Sequence, residues 1–326
     1  MLSLFGLDPA TYSTSVLHAP ERTFRETNCY SDVWIELLHA AGFDPALAMA
    51  YTLSVDFEGD QWTFFKPPPE DLEALFGIDV HEMQLYRPLT DHIAEQLKAG
   101  RTMIFEADSY YLPDTVATAY GQAHVKSSII IEAIDTAAKH LRYFHNAGYY
   151  ELAGDDFRGV FRQGREFSPD VLPPYAEIVR FDAGQRLSGD ALKQAARLSL
   201  ARQLKRLPRR NPWLSFADRL GADLPGLLAG TEAGYHAYAF ATVRQCGAAF
   251  ELAQAFLEVI GAPAEAAQAF ARQTAGAKTL LLKLARRRSF DPMTILGGLA
   301  ADWDSATALL RDWVPNASDQ ERLALR

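Results

Sequence analysis

The residues of this sequence with the most chemistry to offer are two cysteines and eight histidines. Cys29 stands in TNCYSDVWIELLHAAGF, residues 27–43. Val33, Trp34, Leu37, Leu38 and Ala41 recur there at helical spacing, so the stretch reads as a helix with Cys29 on its first turn. Thr27 or Asn28 caps it, because a short polar side chain accepts from the open N–H groups. Gly42, then Asp44-Pro45, stops it. A thiol at a helix N-terminus sits where the peptide dipoles favour the thiolate, the nucleophilic form. The competing reading is a small hydrophobe in a core, so a base elsewhere must decide. Cys246 follows Gln245 inside a helical stretch with no cap near it and reads as core.

His124 is the candidate base. It opens HVKSSIIIEAI, residues 124–134, a run rich in β-branched side chains and the strongest strand signal of the chain. HLRYFHN, residues 140–146, is the partner strand of a hairpin. The start of one antiparallel strand lies beside the end of the next, which brings Asn146 toward His124. An asparagine oxygen accepting from one ring nitrogen fixes the tautomer that presents the other to sulfur. Alternation puts Leu141, Tyr143 and His145 on one face and Arg142, Phe144 and Asn146 on the other, and Asn146 is the preferred partner. Its competing reading is a turn, Asn146-Ala147-Gly148. The other histidines have adequate surface or packing roles. The expected contact is Cys29 sulfur at about hydrogen-bond length from a His124 nitrogen.

Other residues suit the supporting roles. The Cys29 N–H can stabilise an oxyanion, with Asn28 as second donor if it is not the cap. DSYYLP, residues 108–113, ends a strand beside the expected cleft. Asp108 suits a substrate ammonium, and Tyr110 or Tyr111 suits an acyl oxygen. The alternative is a buried aromatic turn with Asp108 bonding loop N–H groups. Farther on, His236, Phe240 and Arg244 share a stripe of a long helix, where His236 and Arg244 could close on a carboxylate or phosphate. The alternative there is interdomain packing. Arg202, Lys205, Arg206, Arg209 and Arg210 would steer an acidic partner, or simply form a solvated helix end.

The elements that must hold these residues divide in two. Residues 1–184 read as an α+β domain, with strands at 61–65, 82–86, 101–107, 124–134, 140–146 and 175–181 and helices at 69–77 and 90–99. Residues 185–326 read as a helical domain, clearest at 191–206, 234–259, 263–287 and 305–314. The chain has 326 residues, 48% hydrophobic and 22% charged, which allows a sizeable core. The net charge of −9 argues against nucleic acid. Two cysteines do not make a disulfide scaffold, so a cytoplasmic setting fits. MLSLFGLDPA has no basic segment and reads as neither signal nor anchor, and no apolar run is long enough to span a membrane. Metal, dinucleotide, P-loop and GxSxG motifs are absent, so no metal and no cofactor of its own is expected.

The ordered set Asn28-Cys29-Tyr30, Asp108-Ser109-Tyr110-Tyr111-Leu112-Pro113 and His124 resembles the papain-like acyltransferases of the butirosin-H type over about residues 20–150. More closely, and along the full length, the chain resembles a bacterial family catalogued only as a domain of unknown function. The resemblance implies a papain-like fold with a Cys-His-Asp/Asn triad. It implies transfer of an acyl or aminoacyl group from the phosphopantetheine thioester of a carrier protein, through a cysteine thioester, to an amine acceptor. The butirosin-H pattern usually has an acid as third member, where this chain offers Asn146. No glutamine precedes Cys29 in the manner of papain. Two rival expectations are a hydrolase on the same site (thioesterase, amidase or peptidase) and a non-catalytic module that binds a carrier protein.

Overall fold

The computed structural model describes residues 1–164, 172–181 and 186–314. The expected domain boundary at 184–185 falls outside them. The chain divides into two compact units. The first is Met1–Ala19, Asn28–Pro45 and Pro69–Arg186, and the second is Pro20–Thr27, Ala46–Pro68 and Leu187–Arg326.

In chain order the first unit contains β1 (Leu2–Ser3), α1 (Cys29–Ala40), α2 (Pro69–Phe76), β2 (Asp79–Glu82), α3 (Leu89–Lys98) and β3 (Thr102–Asp108). These are followed by β4 (Lys126–Asp135), β5 (His140–His145), β6 (Gly148–Ala153), α4 (Asp155–Val160) and β7 (Ala176–Arg180). The seven strands form one antiparallel sheet in the order β2-β7-β3-β4-β5-β6, with β1 also pairing β4. It is an α+β unit. Alternation gives each strand two faces. One carries Ile104, Glu106, Ser128, Phe144 and Glu177, and α1 packs on this side against β4, β5 and β6. The other carries Met103, Phe105, Ile129, Ile131 and Tyr143, sealed with Ile93 and Leu97 of α3 and Phe157 of α4.

The ends of α1 follow from its flanking residues. Asn28 is extended, and its Oδ1 accepts from Ser31 N at 2.9 Å, one of the open donors of the first turn. Gly42, at φ +82, closes the other end. Gly42 N donates to His39 O and Phe43 N to Leu38 O, the paired bonds that a left-handed residue after a helix permits. Val33, Trp34, Ile35, Leu37 and Leu38 are fully buried.

The second unit is helical: α5 (Gly189–Lys205), α6 (Pro212–Ala229), α7 (Glu232–Ala239), α8 (Gln245–Val259), α9 (Ala264–Ala285) and α10 (Met293–Trp313). A π-helical turn, Phe240–Arg244, joins α7 to α8. The core of this unit is aromatic, with Trp62 against Trp213, Phe216 and Phe250, and Phe250 against Phe270. Among the described residues no helix is long and apolar enough to cross a membrane.

Several expected elements differ. Residues 61–65 form only an isolated bridge, Phe57 to Trp62, because Trp62 is drawn into the aromatic core. The strand expected at 82–86 is Asp79–Glu82. His124 lies two residues before β4 rather than opening it. β6, α4 and α6 were not among the expected elements, and the expected helix at 234–259 is broken by the π turn.

Candidate active site

Cys29 begins α1 directly after its cap and is partly exposed. Its thiol donates to Ser128 Oγ across 3.7 Å. Tyr30, the next residue, donates from its hydroxyl to Glu177 Oε2 at 2.6 Å. The first turn of α1 is thus fastened to β7 on one side and reaches β4 on the other.

His124 is held on three sides. Its Nδ1 bonds Asp108 Oδ2 at 2.6 Å. Its ring stacks on Tyr110 with centroids 4.5 Å apart and planes 12° apart, and Tyr111 meets it edge-on at 6.4 Å. The side chain of His124 is still 67% exposed. Asp108 ends β3, and its other oxygen accepts from Tyr110 N at 3.0 Å. This fastens the start of the 3-10 turn Ser109–Tyr111. Ser109 N donates to Val125 O at 2.8 Å, closing the loop that carries Tyr110, Tyr111 and His124. An imidazole whose Nδ1–H is committed to a carboxylate presents Nε2 as the basic nitrogen.

The structure brings Asp108 to His124, where Asn146 was expected. Asn146 occupies the two-residue turn between β5 and β6 at φ +44, a conformation asparagine tolerates better than most residues, and it makes no hydrogen bond to His124. The hairpin argument holds for β3 and β4 as well as for β4 and β5. Asp108 ends the one strand opposite Lys126, which opens the other. Cys29 and His124 are not hydrogen-bonded to each other. The residues that touch them, Ser128 and Asp108, share a face of the sheet. Ser128, beneath Cys29, lies opposite Glu106 in register. Asp108 is the next residue on that face, a diagonal step of about 7–8 Å from Ser128.

Asn28 is the cap, using its amide oxygen. An oxyanion would need Nδ2, so the two roles do not compete for one atom. His236 is exposed and faces Glu232 at 3.4 Å. Arg244 lies over the Phe240 ring at 4.8 Å and donates to the carbonyls of Glu26 and Thr27. The π turn between them takes the i, i+4 spacing out of phase, which the regular helical count could not show. Cys246 is fully buried, and burial pushes its thiol well above the usual range.

Two buried clusters brace this region. Ser127 Oγ bonds His145 Nε2 at 2.6 Å, and His145 Nδ1 bonds Asp114 Oδ2 at 2.5 Å. Tyr143 OH donates to Asp114 Oδ1 at 2.5 Å. The set has the composition of a serine triad, but His145 is 1% exposed and Ser127 points to the sheet face away from Cys29. It ties the turn Pro113–Thr115 to β4 and β5. On the α1 side, His18 is wholly buried between Glu36, at Nδ1, and Asp32, 3.3 Å from Nε2. Burial lowers its affinity for a proton, but the bonds and charge of Asp32 and Glu36 outweigh that and raise the pKa to about 9.

A cleft of about 570 Å³ opens at His124 and Asp108, with Glu106 and Tyr111 also on its lining. Tyr111 can lie close against α4 because residue 159 is glycine: a Cβ there would stand 2.1 Å from its ring.

Family models match almost the whole chain: the DUF1839 N-terminal domain over residues 13–181 and the DUF1839 C-terminal domain over residues 189–312. The chain belongs to the DUF1839 family. Its name marks a domain of unknown function, so membership assigns no chemistry to Cys29 or His124. No curated protein matches the sequence. For this DUF1839 protein the chemistry must therefore be argued from the side chains.

Proposed function

We propose that this protein is a cysteine-nucleophile acyltransferase with a papain-like catalytic unit, in which Cys29 carries the acyl group and His124, oriented by Asp108, moves the proton. The observation that supports this most is the Asp108–His124 pair, since an acid at Nδ1 commits the exposed Nε2 to proton transfer. Substrate binding brings Cys29 and His124 together across the end of β3 and β4, as catalytic bonds that are long in a free enzyme shorten in its complex.

The Cys29 proton passes to His124 Nε2 as sulfur attacks the thioester carbonyl carbon. The Cys29 N–H, at the open end of α1, faces the resulting oxyanion. The donor carbon–sulfur bond breaks, and the leaving thiol takes the proton from His124. An amine then attacks the Cys29 thioester and gives a proton to His124, and Cys29 leaves and is reprotonated. The donor proposed is a carrier-protein phosphopantetheine thioester, and the acceptor an amine.

Intact-mass measurement after mixing with acyl-phosphopantetheine carrier protein tests the reading. A mass increase equal to the acyl group, absent in Cys29→Ala and discharged by an amine with amide formation, is expected. No adduct on Cys29 with any thioester would refute it. An adduct discharged only by water would make the protein a hydrolase.

A further inference from the structure

We infer that the cleft beside His124 binds the transferred group, and that this group is a neutral, apolar acyl chain or arylalkyl group well beyond acetyl in size. The inference rests on the acyl-transfer reading and names its substrate class. Leu85, Leu89, Val160, Phe161, Pro173 and Pro174 give the cleft carbon walls. Its charged groups have partners within the fold, Arg87 Nε excepted. Glu106 takes Lys126 Nζ at 2.9 Å, Asp108 takes His124, Arg87 pairs with Glu95, and Arg162 donates to Leu172 O at 2.7 Å. A charged tail would have to displace one of these pairs, whereas an apolar tail gains by burial against the walls. At about 570 Å³ the space suits a small organic molecule, and acetyl would leave most of it unfilled.

The cleft meets the Cys29 face at Glu106 and Asp108, while its carbon walls Leu85, Leu89, Val160 and Phe161 belong to the side of the sheet that α3 and α4 cover. Glu106 lines the cleft and is the register partner of Ser128, the residue under the Cys29 thiol. An acyl chain attached at Cys29 enters the cleft by passing the edge formed by Glu106 and Asp108.

Two measurements test this separately from the chemistry. The first is equilibrium binding of neutral amides, acetamide through octanamide, to the whole protein by calorimetry. Affinity is expected to rise by up to about fourfold per added methylene. Leu85→Trp and, as a second filling variant, Leu89→Trp should abolish that rise while keeping the melting temperature of the parent. Binding that does not grow with chain length, or that persists unchanged in both filled variants, overturns the assignment. The second is acylation of Cys29 by acetyl and octanoyl N-acetylcysteamine thioesters, read by intact mass, with octanoyl expected at least tenfold faster. Chain-dependent amide binding without any Cys29 adduct leaves the cleft assignment standing and sinks the transferase reading. Equal rates for the two thioesters do the reverse.

Discussion

Asp108 and Asn146 compete for one role, and substitution separates them. Asp108→Asn keeps the side chain's shape but removes the carboxylate that accepts from His124 Nδ1. Cys29 acylation should fall by about a hundredfold, the scale of a lost acid–base partner. Asn146→Gly keeps the left-handed turn, where φ is +44, and should leave the rate within twofold. Equal losses in the two variants, measured as single-turnover rates by intact mass, would return the role to Asn146. The sequence singles out Cys29 and His124 for these roles and Asp108 only as a substrate contact, because residue type and position at an element's end are local. Which acid or amide meets the histidine was not legible, because two antiparallel neighbours of one strand satisfy the same rule. Ser128 left no signal at all: its contact with Cys29 spans 99 residues of chain.

At the scale of elements, α1 rests on a buried charged cluster that no periodicity reveals, since His18 comes from the 3-10 turn Val16–His18 and Asp32 and Glu36 from α1. The apolar spacing of α1, its Asn28 cap and its Gly42 stop were all legible, being features of consecutive residues. The cluster has a pH signature. His18 holds its proton to about pH 9 when folded, against 6.5 for a free imidazole. A proton bound more tightly by the folded state stabilises it. That stabilisation is complete below pH 6.5 and disappears as the pH climbs through 9, a change of roughly 3 kcal/mol. Melting temperature followed from pH 6 to 10 should therefore decline across that window. His18→Gln should melt lower at neutral pH and lose this part of the slope. A parent and variant with parallel pH profiles would show that the cluster does not carry the proton.

For the whole molecule, composition changes near residue 185, and the helical half is visible from that change. Composition is blind to two short stretches, Pro20–Thr27 and Ala46–Pro68, that lie in the first half of the chain and belong to the helical unit. Their physical claim on it is specific. Trp62 sits 5.1 Å from Trp213, centroid to centroid. Glu251 accepts from Thr23 N and Phe24 N, both at 2.8 Å. Phe24 fills the space that a side chain at Gly247 would need, since a Cβ there would stand 2.6 Å from its ring. A fragment beginning at Leu187 lacks all of these, so it must leave Trp213, Phe216 and Phe250 partly uncovered and the Glu251 carboxylate without its two amide donors. Removing one buried tryptophan alone costs about 3–5 kcal/mol, a large share of the roughly 5–15 kcal/mol that holds a domain together. The fragment should therefore keep helical far-UV circular dichroism but lose the near-UV tryptophan signal and a cooperative melt. Linking residues 20–27 and 46–68 back to it should restore both. A fragment from Leu187 that melts as sharply as the full chain would mean that the two stretches decorate the helical unit without completing its core.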